Sequence, residues 1–123
     1  NRLDRHDSLT GLLNRNAVTE VLKNMMAHAV GLPFALLVLD IDLFQDINNL
    51  LGYDHGDVLL NMVAQRLVSQ CRSNYVIGRL GGDDFVIIIP GADKTMASEF
   101  TKNLVKYMKE PFYIDDHERL SSP

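Results

Sequence analysis

Tyr75-Val76-Ile77-Gly78-Arg79-Leu80-Gly81-Gly82-Asp83-Asp84-Phe85-Val86-Ile87-Ile88-Ile89 is the stretch that decides how this chain folds. Two apolar runs, Tyr75 to Leu80 and Phe85 to Ile89, flank a pair of glycines and read as the strands of a tight hairpin. Consecutive glycines suit a turn that needs positive φ at both central residues. Asp83 and Asp84 follow at once, so two carboxylates leave the turn just ahead of an apolar strand.

Working outward, Asp93 is placed to cap a helix running to Met108, with Met96, Phe100, Leu104 and Met108 on one face. Beyond it, Phe112-Tyr113-Ile114 reads as a strand entering a turn at Asp115-Asp116-His117. On the other side, residues 56–72 carry Val58, Leu59, Met62, Val63, Leu67 and Val68 at helical spacing. A shorter helix is predicted from Leu43 to Leu51, stopped by Gly52. Phe34 to Leu39 is an unbroken apolar run closed by Asp40, the pattern of a strand buried on both faces. Residues 17–28 read as a helix with Asn16 as N-cap, and Asp7 to Arg15 as an ordered loop. The order loop, α, β, α, α, β, β, α, β implies an α+β fold with a mixed sheet flanked by helices.

The 123 residues suit one domain, 1–123, with an ordinary core, and 46% hydrophobic with 23% charged residues is a globular composition. A net charge of −4 argues against a nucleic-acid backbone as partner, which needs a clustered basic surface. A single small phosphate ligand remains compatible, because bound metal ions can supply positive charge. Cys71 is the one cysteine, so no internal disulfide forms; its apolar neighbours mark it as packing rather than reactive. No apolar run approaches the roughly 20 residues that cross a bilayer, and no signal-peptide pattern opens the chain. A cytoplasmic setting is expected, including that of the cytoplasmic part of a membrane-anchored protein. His6, His28, His55 and His117 lack metal-ligand spacing, and the five methionines fall on helical faces as core filling.

Three places carry chemistry. Asp40-Ile41-Asp42 sits at the exit of a strand, where Asp40 and the Ile41 side chain point to opposite faces. Asp40 can then ligate a metal beside the Ile41 carbonyl, while Asp42 caps the helix that begins at Leu43, whose free N–H groups suit an anion. The second place is the hairpin tip, where hard carboxylate oxygens of Asp83 and Asp84 favour Mg²⁺. Asn48 and Asp57, on either side of the Gly52 break, can read a guanine edge, because Asp accepts and Asn both donates and accepts. Each feature alone also has a plain alternative: a strand end and a cap, a solvated acidic turn, a surface Asn, an Asp complementing a helix dipole.

Together these residues resemble the GGDEF family, the diguanylate cyclase domain of bacterial signalling proteins. Asp7…Leu9-Thr10-Gly11-Leu12…Asn14-Arg15 resembles its leading motif D-x-L-T-G-L-x-N-R. Asp40-Ile41-Asp42-Leu43-Phe44-Gln45-Asp46-Ile47-Asn48-Asn49, with Gly52-Tyr53 and Gly56-Asp57, resembles D-I-D-x-F-K-x-I-N-D-x-x-G-H-x-x-G-D. Arg79-Leu80-Gly81-Gly82-Asp83-Asp84-Phe85 resembles R-x-G-G-D/E-E-F. The resemblance implies a nucleotidyl-cyclase, palm-like sheet that binds GTP with Mg²⁺ (or Mn²⁺) and condenses two GTP into cyclic di-GMP and pyrophosphate. A homodimer is implied, because each domain brings one GTP. By position, Asp40, the Ile41 carbonyl, Asp83 and Asp84 would hold metal, with Asp84 also activating the attacking 3′-hydroxyl. Asn48 and Asp57 would recognise guanine, and the backbone at Leu43 and Phe44 would meet phosphate.

The departures from the motif bear on activity. Asp84 stands for a glutamate and is one methylene shorter, a reach loss of about 1 Å that can cost on the order of a hundredfold in rate. Gln45 stands for a phosphate-facing lysine, although Asp42-x-x-Gln45 has capping-box spacing. Asn49 and Tyr53 replace an aspartate and a histidine. In Arg72-Ser73-Asn74-Tyr75 the arginine of the family's inhibitory R-x-x-D is kept, and tyrosine stands for the aspartate. The family continues past this end with a basic cluster that contacts triphosphate, so the segment is expected to be C-terminally truncated and inactive alone. It is expected to follow a linker from an upstream sensor, with a downstream phosphodiesterase domain as a further neighbour. Three functions are thus carried forward: a weak cyclase in its full-length parent, a GTP-binding regulatory module for a neighbouring domain, and a dimerisation unit.

Overall fold

The structure, a computed structural model, describes residues 2–28, 31–41, 49–51 and 53–113. A short 3-10 turn at Arg2–Arg5 precedes α1 (Arg15–His28), β1 (Phe34–Asp40), α2 (Tyr53–Gln70), β2 (Val76–Gly81), β3 (Asp84–Pro90) and α3 (Lys94–Met108). Residues 49–51 are also helical. The strands form one antiparallel sheet in the order β1-β3-β2. A parallel bridge from Leu13 to Gly78 lays the leading loop along β2. Among the described residues, the mixed character expected of the sheet resides in this bridge.

β3 is the middle strand and is covered on both faces. Phe85, Ile87 and Ile89 pack against Leu59, Leu60, Val63 and Leu67 of α2 and Leu104 of α3. Val86 and Ile88 face the other way, onto Val18 of α1 with Val21 and Leu22 beside it. Each such side chain taken fully out of water contributes about 1.5–3 kcal/mol, so β3 is the spine of the domain. Gly78 in β2 lets α1 come this close. A Cβ there would lie 2.3 Å from Val18 Cγ2 and 3.0 Å from the Leu13 carbonyl oxygen.

The strand predicted to be buried on both faces, Phe34 to Leu39, is buried on one. Leu37 and Leu39 pack with the α2–α3 cluster, whereas Leu36 is 47% and Val38 65% exposed. The cause is lateral: α1 lies against β2 and over Val86 and Ile88, so on that face of β1 Phe34 reaches the cluster while Leu36 and Val38 stay open. The boundaries also move. α1 begins at Arg15, and its cap is Asn14 instead of Asn16: Asn14 Oδ1 accepts the Ala17 N–H at 2.9 Å. α2 begins at Tyr53 and ends at Gln70, earlier at both ends than the apolar spacing predicts. The Asp93 cap is observed as expected, its carboxylate accepting the Met96 N–H at 2.9 Å. Residues 111–113 have no regular structure, and the rest of the predicted final strand lies outside the described residues.

Met26 and Met96, expected as core filling, are 69% and 51% exposed. Cys71 is half-buried, and burial pushes its thiol up to about 11, so it packs as expected. Arg66 clasps the end of α3: its guanidinium lies 3.6 Å from the Phe112 ring centre and donates to the Glu110 and Pro111 carbonyls at 2.5 and 2.8 Å. No helix among the described residues is long and apolar enough to cross a membrane.

Candidate cation and nucleotide site

The hairpin tip is built from a two-residue loop. Gly81 pairs with Asp84, so Gly82 and Asp83 make the turn, and Leu80 is left out of register as a β-bulge. Gly81 and Gly82 both take positive φ, +138° and +53°, but the turn is displaced by one residue from the expected glycine-centred one: of its two central residues only Gly82 has positive φ, and Asp83 does not. Register places Asp84 of β3 directly opposite Asp40 of β1. The Ile41 N–H then donates to the Asp83 carbonyl at 3.1 Å, extending the ladder past the end of β1.

These pairings draw Asp40, Asp83 and Asp84 together, with one carboxylate oxygen from each within 4.8 Å of the others. Like charges directly opposite on a sheet are destabilising, and a nearby positive charge relieves this. Hard oxygen donors at this spacing fit a hard divalent cation. Asp40 is exposed while Asp83 and Asp84 are half-buried, so the cluster is open to solvent on one side. Strand alternation holds as expected: Asp40 is outside, and Ile41 packs against the α2–α3 core. A cavity of about 560 Å³ lies on that core side, between β1 and α3, reaching Asp40 and Ile41 at one end and Lys109 of the α3 C-terminus among its lining.

Not every predicted site residue joins this group. Asp57 is exposed on the early turns of α2 and is not a member of the carboxylate cluster. Leu43, Phe44, Gln45 and Asn48 lie outside the described residues. Arg72 precedes β2 and so sits at the end of the sheet away from the tip, bordering a recess of about 440 Å³ with Tyr75 and Glu99. Tyr75 is spent on packing, its ring edge-on to Phe100 at 5.4 Å.

The sequence quoted Asp7, Arg15 and Arg79 as motif letters without roles, and the structure supplies them. Arg79 Nε donates to the Gly82 carbonyl at 2.9 Å, and its Nη1 reaches both Asp7 carboxylate oxygens at 3.0 and 3.1 Å. Arg15 Nε donates at 3.2 Å to the carbonyl of the bulged Leu80. Burial alone would raise the Asp7 carboxyl, but the Thr10 hydroxyl, the Thr10 amide and Arg79 outweigh it and hold the group below its ordinary value. The available signal was an acid early in the chain and a base before the glycines, whose pairing spacing alone cannot reveal.

The family model for the diguanylate cyclase GGDEF domain matches residues 4–122. The chain belongs to the GGDEF family. Among curated relatives, a bifunctional diguanylate cyclase/cyclic di-GMP phosphodiesterase, MucR of Pseudomonas aeruginosa, is 36% identical over 95% of this chain and 17% of its own length. The cyclic di-GMP phosphodiesterase NbdA of the same organism is 39% identical over 93% of this chain and 15% of its length. The diguanylate cyclase DosC of Escherichia coli is 38% identical over 72% of this chain and 20% of its length. The chain thus spans about a sixth of MucR and NbdA. The solved GGDEF domain of DgcB from Caulobacter crescentus, in complex with c-di-GMP, superposes with a TM-score of 0.85 at 26% identity, covering 92% of this chain and 67% of that one. The arrangement of helices around an antiparallel sheet is therefore that of the GGDEF fold.

Proposed function

We propose that this GGDEF domain holds GTP through a divalent cation, Mg²⁺ or Mn²⁺, and in a full-length parent condenses two GTP into cyclic di-GMP. The observation that carries this reading is the convergence of the Asp40, Asp83 and Asp84 carboxylates. Asp40, Asp83, Asp84 and the Ile41 carbonyl would hold the cation, which when bound neutralises phosphate charge and polarises the bond to be broken. Asn48 and Asp57 would read guanine, and the backbone at Leu43 and Phe44 would meet phosphate, by position in the family motif. In each half-reaction a 3′-oxygen attacks the α-phosphorus of the other GTP and the bond to the β-phosphate breaks. Pyrophosphate leaves, and the hydroxyl proton passes to a base, a role that Asp84 would take by its place in the family motif. Two such steps close the ring, so two copies of the domain must face each other.

A second reading is favoured by Asp84 itself, which lacks the reach of a glutamate. It makes the domain a GTP-binding module that regulates a neighbour within a longer cytoplasmic signalling protein. NbdA, which is as similar to this chain as DosC, bears the name of a phosphodiesterase. The two are separated by incubating the full-length protein with GTP and Mn²⁺. The cyclase reading expects cyclic di-GMP from wild type, about a hundredfold more from Asp84→Glu, and none from Asp83→Ala. No product from wild type, with GTP binding lost in Asp83→Ala, overturns the cyclase and leaves the module. Arg72 remains of an inhibitory site; without the neighbouring carboxylate, cyclic di-GMP is expected to bind weakly there, and tight binding lost in Arg72→Ala would refute this.

A further inference from the structure

We propose that Arg79 is a positioning residue for the cation cluster, and that Asp7 in the leading loop, acting through Arg79, sets how tightly the cluster holds a divalent cation. The proposal rests on the reading of Asp40, Asp83 and Asp84 as ligands given above. It starts from the weakness of the tip. Neither Gly81 nor Gly82 has a Cβ, and among the described residues beyond their chain neighbours no heavy atom lies within 4 Å of where one would stand. Glycine pairs lose the most conformational freedom on ordering.

Among the described residues, two hydrogen bonds reach the carbonyls of the turn residues Gly82 and Asp83 themselves. On the β1 side, the Ile41 N–H donates to the Asp83 carbonyl at 3.1 Å; on the β2 side, Arg79 Nε donates to the Gly82 carbonyl at 2.9 Å. The second depends on where the guanidinium lies, and Asp7 decides that with both carboxylate oxygens. Asp7 is itself immobilised: its carboxylate takes the Thr10 amide and hydroxyl, each at 2.8 Å, and its backbone bonds to Gly11 and Leu12. The loop is in turn fastened to β2, Leu13 donating to Ile77 at 3.3 Å and accepting from Arg79 at 2.8 Å. The Asp7 and Arg79 side chains are only 17% and 14% exposed, so removing one partner leaves a poorly solvated charge that finds another arrangement. The β1–β3 ladder sets Asp84 opposite Asp40, and the leading loop adds, through Arg79, a restraint on the turn that carries Asp83. By linkage, a cation at the cluster stabilises the loop by the same factor by which the loop strengthens the cation.

The test uses the whole chain, with amide hydrogen exchange and Mn²⁺ as probe. In metal-free protein, Asp7→Asn and Arg79→Lys each speed exchange of the Ile41 N–H, whose acceptor is the tip, by about tenfold or more, while the Val86 to Ile88 amides change little. Arg79→Lys keeps the charge but loses the fork that spans Gly82 and Asp7. Mn²⁺ affinity, followed by its paramagnetic resonance signal, falls by about tenfold in both variants, within the usual size of such couplings. Unchanged exchange at Ile41, or exchange sped equally at Ile41 and in β3, overturns the proposal; the latter marks a pair that only supports the fold. Mn²⁺ held equally by wild type and Asp83→Asn overturns the ligand reading instead, and the exchange data tell the two failures apart.

Discussion

The Asp7 carboxylate accepts from the Thr10 amide, the Thr10 hydroxyl and Arg79, and that makes its titration measurable in stability. Its folded pKa lies below the ordinary value of 3.8, so the stability it contributes is present above that value and is lost as pH falls through the lower folded one. Asp7→Asn removes this linkage. Urea unfolding should show a gap between wild type and Asp7→Asn that is steady from about pH 7 to about pH 5 and narrows below the carboxylate range. A gap that stays constant to about pH 2.5 would contradict the assignment. At the same scale, Asp40 and Asp84 were legible in the sequence as acids at the ends of apolar runs. Their meeting was not, because it depends on which residue of β1 stands opposite which residue of β3. A one-residue slip would have turned one of them to the other face.

Among the elements, α1 approaches β2 closely at Gly78. A methyl group there meets Val18 Cγ2 and the Leu13 carbonyl together, and the carbonyl belongs to backbone already bonded to Arg79. Gly78→Ala should cost about 1–3 kcal/mol by overpacking. Val18→Ala should itself destabilise, yet the double variant should lose less than the two singles summed, since the side-chain half of the clash is gone. Additive losses in thermal or urea unfolding would show that the carbonyl contact dominates. Helical spacing placed α1, α2 and α3 correctly, and the Asp93 cap was read directly from its residue type. The Asn14 cap was missed because Asn14 and Asn16 have the same chemistry; only the geometry of the leading loop, held by Leu13 on β2, chooses between them. β1 was misjudged for a related reason: an unbroken apolar run says what a strand can bury, whereas the lateral position of α1 says what it does bury.

At the scale of the whole molecule, the proposed cyclase needs two copies, each presenting one GTP across from the other. Specific activity of the full-length protein should therefore rise with protein concentration until pairing saturates, then level off. Product formed at a specific activity independent of concentration over a range in which sedimentation shows monomer would reject the paired arrangement. Residue chemistry alone determined that this chain is an α+β domain with a glycine hairpin, acids at two strand ends and a motif set that resembles the GGDEF family. Those are properties of residue type and local spacing, which survive without coordinates. Tertiary structure alone decided that β3 is the doubly covered strand, that three carboxylates converge within one ion's reach, and that Asp7 grips the tip through Arg79. Each of these joins residues distant in sequence, and only strand register and layer packing bring such residues into contact.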